Sequence, residues 1–211
     1  SDEYYRLAAQ GELALGETGG LSLQIGHNDA GEVVAGSDHQ IDFINGKLNY
    51  QLKDTIETWA SFRYTDSERA NFPEDSGGPD FAVYRTRDEA ESEDISAQLG
   101  LSFDLNSQWT SLLTASWFET DSSETSPGIF PGLDVPPNGS KVNFDRAVLN
   151  WNNQFLWQNG RMSAGFDFKR EQGESQGYFD FGVLIPTYFE LEQDTLGAFW
   201  EIQQQLGLGL S

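Results

Sequence analysis

The clearest prediction of the fold comes from residues 93–120, EDISAQLGLSFDLNSQWTSLLTASWFET. Apolar side chains alternate with small or polar ones from Ile95 to Leu105, which predicts a β-strand with one apolar and one polar face. A short polar connection follows at 106–107, and the alternation resumes from Trp109 to Glu119. Strands in soluble domains commonly have about five or six residues, whereas a tilted strand needs about nine to eleven to cross a bilayer. The length of this hairpin therefore indicates a membrane barrel.

Composition narrows the class of protein. The chain has 211 residues and no cysteine, which excludes a disulfide scaffold and a thiol nucleophile. Twelve Lys and Arg residues against 34 Asp and Glu residues give a net charge of −22, which argues against nucleic acid as a partner. The acidity fits a calcium-rich extracellular surface, a cation-attracting lumen, or solubility. Mean hydropathy is −0.51, and the sequence has no apolar run long enough for a transmembrane helix.

The same alternation predicts nine strands, at 5–15, 21–25, 40–52, 55–65, 95–105, 109–119, 141–157, 161–171 and 196–206. Short connections (16–20, 53–54, 106–107, 158–160) alternate with long ones (27–39, 66–92, 120–140, 172–193). Outer-membrane barrels have short turns at one rim and long loops at the other. The predicted fold is therefore an all-β, antiparallel, up-and-down transmembrane β-barrel. A soluble β-sandwich is the alternative, and the long polar faces of the strands count against its dry core.

Several local stretches resemble the barrel of TonB-dependent outer-membrane receptors, and within them the vitamin B12 (cobalamin) transporters. They are Glu32–Ala35, Asn150–Asn153, Asn159–Gly160, Ser163–Lys169 and Gln204–Gly207. The resemblance implies a 22-stranded, plugged barrel, of which residues 1–211 supply about nine strands. A plug domain with its TonB-binding segment and the C-terminal strands are expected to lie outside this chain.

The function implied by the resemblance is active uptake of a large, scarce nutrient through the bacterial outer membrane. Its partners are then the TonB system, outer-membrane lipid and a small molecule, with cobalamin or another corrinoid as the first choice. The alternatives are a TonB-dependent siderophore receptor, a passive outer-membrane channel or adhesin, and a secreted β-sandwich that binds sugar or calcium. The sequence has neither an HExxH motif nor a recognisable Ser/His/Asp set, so we do not expect an enzyme.

Calcium is the cofactor that the resemblance suggests, through acidic residues in the first long loops. By rough position the candidate ligands are Glu32, Asp38, Asp75 and Asp80. Calcium takes six to eight oxygen ligands, so neighbouring acidic loops can form a site without a linear motif. The alternative is a solvated acidic loop surface. His27 and His39 flank the first of these loops and are candidates for a transition-metal site, or are simply exposed.

Loop aromatic residues are the candidates for substrate contact. They are Phe72, Phe81, Tyr84, Phe130 and Tyr178. Aromatic side chains at a barrel mouth can grip an apolar ligand. The alternative is that they cover the mouth of the barrel.

Overall fold

A computed structural model describes residues 4–32, 36–72, 86–128 and 135–205. They form nine strands: β1 (Tyr5–Ala14), β2 (Gly19–Asp29), β3 (Asp38–Lys53), β4 (Ile56–Asn71), β5 (Asp88–Asn106), β6 (Trp109–Ser126), β7 (Asn138–Trp157), β8 (Gly160–Asp180) and β9 (Leu184–Gln204). Each strand pairs antiparallel with the next in a single sheet of order β1 to β9. This confirms the all-β, up-and-down prediction and leaves no second sheet, within the described residues, for a sandwich. In the same residues no helix has the length and apolar character to cross a membrane.

The strands extend further towards the predicted long connections than the alternation indicated. β4 continues to Asn71 and β5 begins at Asp88, where polar residues occupy both faces and the hydropathy alternation disappears. Backbone pairing persists without that alternation, because the ladder hydrogen bonds do not depend on the side chains. A long loop at 172–193 is wrong, and the alternative for its aromatic middle (Tyr178, Phe179 and Phe181), extension of a flanking strand, agrees with the structure at Tyr178 and Phe179. β8 runs to Asp180, β9 begins at Leu184, and three residues connect them.

The tight β8–β9 turn depends on Gly182, whose φ is 83°. An ideal Cβ at this position meets nothing within 4 Å, so only the backbone conformation opposes a side chain. We expect Gly182→Ala to lower the free energy of unfolding by about 1 kcal/mol. Gly182→Asn is the control, because asparagine tolerates positive φ and should cost less. Urea titration of the full-length protein in lipid vesicles measures both changes, and equal costs would contradict the conformational explanation.

Leu99 and Gln98 are adjacent in β5 and point to opposite faces of the sheet. The apolar face carries Leu99 and the side chains paired with it across the strands, and the polar face carries Gln98 and its pairs. One row of the apolar face reads Ala60, Leu99, Ala115, Leu149, Phe168 and Leu196. In β2 the apolar face is exposed at Leu21, Leu23 and Ile25, while the intervening polar face is half-buried. This difference is expected of a curved sheet whose apolar face is convex.

Trp109, Trp151 and Trp157 lie on the apolar face towards the short turns. The indole Nε1 of Trp151 donates to Ser111 Oγ at 2.8 Å, and Trp109 Nε1 donates to Asn153 Oδ1 at 3.2 Å. Ser111 is completely buried although the face around it is exposed. An indole that presents its ring outward and satisfies its N–H is suited to a membrane–water interface. These contacts are typical of an aromatic girdle at the short-turn rim.

Candidate functional site

The predicted calcium ligands are only partly within the described residues. Glu32 is exposed in the β2–β3 connection, and Asp38 begins β3 on the apolar face, paired with Ala70. Asp75 and Asp80 lie outside the described residues. In the part of the chain that the structure describes, no three His, Asp or Glu side chains come together as a metal ion would require. The calcium site stays a prediction.

The two histidines point to opposite faces of the sheet. His27 lies on the apolar face of β2, where Nδ1 is 2.8 Å from Asp42 Oδ1 and Nε2 is 3.1 Å from the Tyr5 hydroxyl oxygen. His39 lies on the polar face of β3 and pairs with Arg69. The structure therefore does not bring them together as ligands of one metal.

The predicted loop aromatics are not gathered into one site by the described residues. Phe72 follows β4 and its ring lies against Gly36. Tyr178 lies on the apolar face of β8, paired with Gly139, and is 38% exposed. Phe81, Tyr84 and Phe130 lie outside the described residues. Tyr178 thus belongs to the convex face, which is not the face expected to line a lumen.

A cluster that was not predicted lies on the polar face of β6, β7 and β8. We call it the Arg146 cluster, and it consists of Phe118, Phe144, Arg146, Lys169 and Glu171. The rings of Phe118 and Phe144 are 6.3 Å apart between centroids, and the Arg146 guanidinium carbon lies 5.9 Å from the Phe118 centroid. Lys169 Nζ is 2.7 Å from one carboxylate oxygen of Glu171, and Arg146 Nη1 is 4.0 Å from the other. Aromatic rings and cations therefore share one patch.

Register explains why the sequence did not reveal this cluster. Phe118, Arg146 and Glu171 occupy one cross-strand row although they are far apart in sequence. The available signal was that Phe118 and Phe144 interrupt the polar alternation with aromatic residues at polar-face positions. Without the pairing, each looks like an isolated exception.

The chain's acidity is concentrated on the apolar face, beyond the apolar residues and towards the long connections. We call this set the acidic border. It comprises Asp29, Asp38, Asp42, Asp66, Glu68, Glu89, Glu91, Glu93, Glu119, Asp121, Asp145, Glu174, Asp180, Glu190, Glu192 and Asp194. Among the described strand residues, the lysine and arginine side chains that lie in the same region of the apolar face are Lys141 and Arg170.

The polar face is nearly balanced in charge. Its strand cations are Arg6, Lys47, Arg63, Arg69, Arg146, Arg161 and Lys169. Its strand acids are Glu12, Glu57, Asp88, Asp94, Asp104, Glu124, Asp167, Glu171 and Glu201. The net charge therefore does not make this face a strongly cation-attracting lumen, which was one interpretation of the composition.

The acidic border also affects the ionisation of a tyrosine. The Tyr188 hydroxyl donates to Glu190 Oε2 at 2.9 Å. This hydrogen bond, followed by desolvation and the charges of Glu174 and Glu190, raises the pKa of Tyr188 above its ordinary value of 10.0. The phenol therefore stays protonated as a donor to the carboxylate.

The acidic border runs obliquely across the strands. Asp66 and Glu93 are directly paired, but the first acid of β6 is Glu119, which pairs with Ile95, one step nearer the short turns. The first acid of β9, Asp194, lies a further step along. We call the apolar residues between the short turns and the acidic border the apolar belt. Strands that tilt across a bilayer must shift their apolar segments in this way to keep such a belt parallel to the membrane. The edge of the apolar belt nearer the long connections is therefore inclined to the strands, as a membrane barrel requires.

The Arg146 cluster lies at this same edge. Phe118 is between Trp117, the last apolar residue of the β6 belt, and Glu119, its first acid. On the polar face Phe144 pairs with Gly173, which in turn pairs with Leu191. The cluster is thus placed on the concave side, level with the boundary where the convex side changes from apolar to acidic.

Comparison with known proteins gives no family model that matches and no curated protein that matches. Solved structures do match. The ferripyoverdine receptor of the outer membrane of Pseudomonas aeruginosa is similar over 96% of this chain and 33% of its own, with a TM-score of 0.75 at 14% identity. The copper transporter OprC is similar over 97% and 32%, with a TM-score of 0.69 at 12% identity.

The ferric-catecholate import receptor Fiu of Escherichia coli K12 is similar over 96% of this chain and 37% of its own, with a TM-score of 0.68 at 14% identity. This chain spans about a third of the length of each of these three proteins. At such identities the likeness establishes the fold. The chain therefore has the fold of part of an outer-membrane receptor barrel.

Proposed function

We propose that this chain is a section of a TonB-dependent receptor in the bacterial outer membrane, which takes up a scarce metal chelate at the expense of inner-membrane energy. The observation that carries the proposal is the fold shared with the ferripyoverdine receptor over 96% of the chain. The apolar belt supports it, because its strands have the length and the oblique border that a bilayer demands. In this arrangement the apolar face contacts lipid, and the polar face lines a lumen closed by a plug.

A ferric chelate is the ligand class that we propose first. Structures that share the fold include a receptor for ferripyoverdine and an importer of ferric catecholate. Cobalamin, which the sequence resemblance suggested, remains the alternative ligand and shares the same energised route. The two ligands differ in chemistry, so one uptake assay can separate them.

The test is uptake of radioactive ligand by Gram-negative cells that express the full-length protein. We expect iron supplied as a siderophore chelate to accumulate, and to stop accumulating when the tonB gene is deleted. Labelled cobalamin is assayed in parallel. Accumulation of cobalamin alone would mean that the ligand is cobalamin and not a ferric chelate, while the TonB-dependent mechanism would stand. Uptake that persists without TonB would indicate a passive channel and overturn the proposal.

A further inference from the structure

We propose that the Arg146 cluster is a recognition site for a ferric chelate that is both anionic and aromatic, such as an iron tris-catecholate. This inference rests on the proposed function, because it assigns the ligand chemistry of that same receptor. It starts from the combination of rings and cations on the polar face of β6 to β8.

The rings supply an apolar surface on the polar face of the sheet. Phe118 and Phe144 are tilted by 53° to each other, so both can meet a flat ligand ring by edge or face. Phe144 has Gly173 as its neighbour in β8 and Leu191 beyond it in β9. The Phe144 ring lies over Gly173, with Cδ2 3.3 Å from the position of an ideal Cβ. Phe144 and Leu191 therefore present apolar surface on the polar face, which a ligand ring can contact better than a hydrated polar group can.

The cations supply the complement for negative charge. The side chains of Arg146 and Lys169 are 46% and 36% exposed, and they share one carboxylate, Glu171. One carboxylate cannot neutralise two cations, so the cluster has an excess of positive charge in a chain of net charge −22. The Glu171 side chain is only 17% exposed, so it keeps its ion pair with Lys169. An anionic ligand can accept hydrogen bonds from the exposed guanidinium of Arg146 and from the remaining ammonium protons of Lys169.

Neighbouring residues of β8 provide a matched pair of variants. Lys169 lies on the polar face in the cluster, and Arg170 lies on the apolar face, where it pairs with Glu192. Lys169→Gln and Arg170→Gln remove the same charge from adjacent positions, and each breaks one ion pair. They differ in the face from which the charge is lost.

The experiment is a titration of the purified full-length protein in detergent, followed by tryptophan fluorescence, with two probes. One probe is an iron tris-catecholate, and the other is a neutral iron trihydroxamate without rings. We expect Lys169→Gln to weaken tris-catecholate binding about tenfold or more, since a hydrogen bond to a charged group is lost. Arg170→Gln should bind like the unsubstituted protein. Phe144→Ala should weaken binding of the same probe.

The outcomes separate this inference from the proposed function. Equal affinity of Lys169→Gln and the unsubstituted protein for the tris-catecholate would overturn the site while leaving the receptor in place. Preference for the trihydroxamate would overturn the ligand class. An equal loss for both probes in Lys169→Gln would indicate that the cluster holds the plug, which also overturns the inference. TonB-independent uptake in cells, by contrast, would remove the proposed function itself.

Discussion

Leu99→Arg is expected to lower the free energy of unfolding in lipid by about 2 to 4 kcal/mol. Leu99 is 61% exposed in the middle of the apolar belt. Its cross-strand neighbours Ala60 and Ala115 have short side chains, which do not cover it. Placing a guanidinium there puts a charge in hydrocarbon, where no water or counter-charge can satisfy it. The measurement is urea titration of the full-length protein folded in phospholipid vesicles.

Gln98→Arg is the control, because the adjacent side chain lies on the opposite face. Gln98 is exposed on the polar face, paired with Ser61 and Ser116. A guanidinium there remains hydrated, so the expected change is within about 0.5 kcal/mol, as for an ordinary surface substitution. If Gln98→Arg proved as costly as Leu99→Arg, the assignment of the apolar face to lipid would be wrong.

A second measurement tests the same faces without relying on stability. A fluorophore attached to cysteine in Leu99→Cys should be quenched by brominated lipid, and one attached in Gln98→Cys should not. The two positions differ by a single residue, so only the alternation of a β-strand can separate them. Quenching at both positions would contradict the predicted orientation.

Sequence patterning predicted the apolar belt well, because successive residues of a strand point to opposite faces and the alternation of hydropathy follows directly. It failed beyond the acidic border, where both faces carry polar side chains and the strands continue without a hydropathy signal. The stretch at Asp88–Ser92 illustrates this: it alternates acidic residues with Ala90 and Ser92, yet it pairs fully with β4. Aromatic residues on both faces had the same effect near Tyr178, so the end of β8 looked like a loop.

The Arg146 cluster shows a second limit of sequence patterning. Its members come from three strands, and a shift of register by one residue would place Arg146 on the opposite face from Glu171. The alternation indicates that each member of the cluster lies on the polar face. It does not indicate which of these residues are neighbours across the strands. The composition likewise gave the net charge without revealing that the acidic border carries most of the strand acids.

Glycines paired with aromatic residues are another feature that only the register reveals. In seven cross-strand pairs of the described residues the ring of one strand lies over the glycine of its neighbour: Gly19 with Tyr50, Gly26 with Phe43, Gly100 with Trp59, Gly139 with Tyr178, Gly160 with Trp157, Gly165 with Phe199 and Gly173 with Phe144. An aromatic ring over a strand glycine covers backbone that would otherwise be exposed. These pairs compensate for the cost of glycine inside a strand.

Gly100→Val is expected to lower the free energy of unfolding by about 1 to 3 kcal/mol, because a side chain there overlaps the indole of Trp59. Gly20→Val is the control. Gly20 also lies on the polar face, but an ideal Cβ there meets nothing within 4 Å. Valine favours strands and glycine does not, so Gly20→Val should be neutral or slightly stabilising.

A double-mutant cycle with Trp59→Ala identifies the cause of the Gly100→Val effect. If the overlap with the ring is responsible, the cost of Gly100→Val should largely disappear when Trp59 is alanine, giving a coupling energy of about 0.5 to 3 kcal/mol between the two positions. The same cost in both backgrounds would mean that the ladder hydrogen bonds, or the hydroxyl of Thr58 that donates to the Gly100 carbonyl at 3.0 Å, set the requirement for glycine. The cycle therefore distinguishes packing by the ring from a backbone constraint at the same residue.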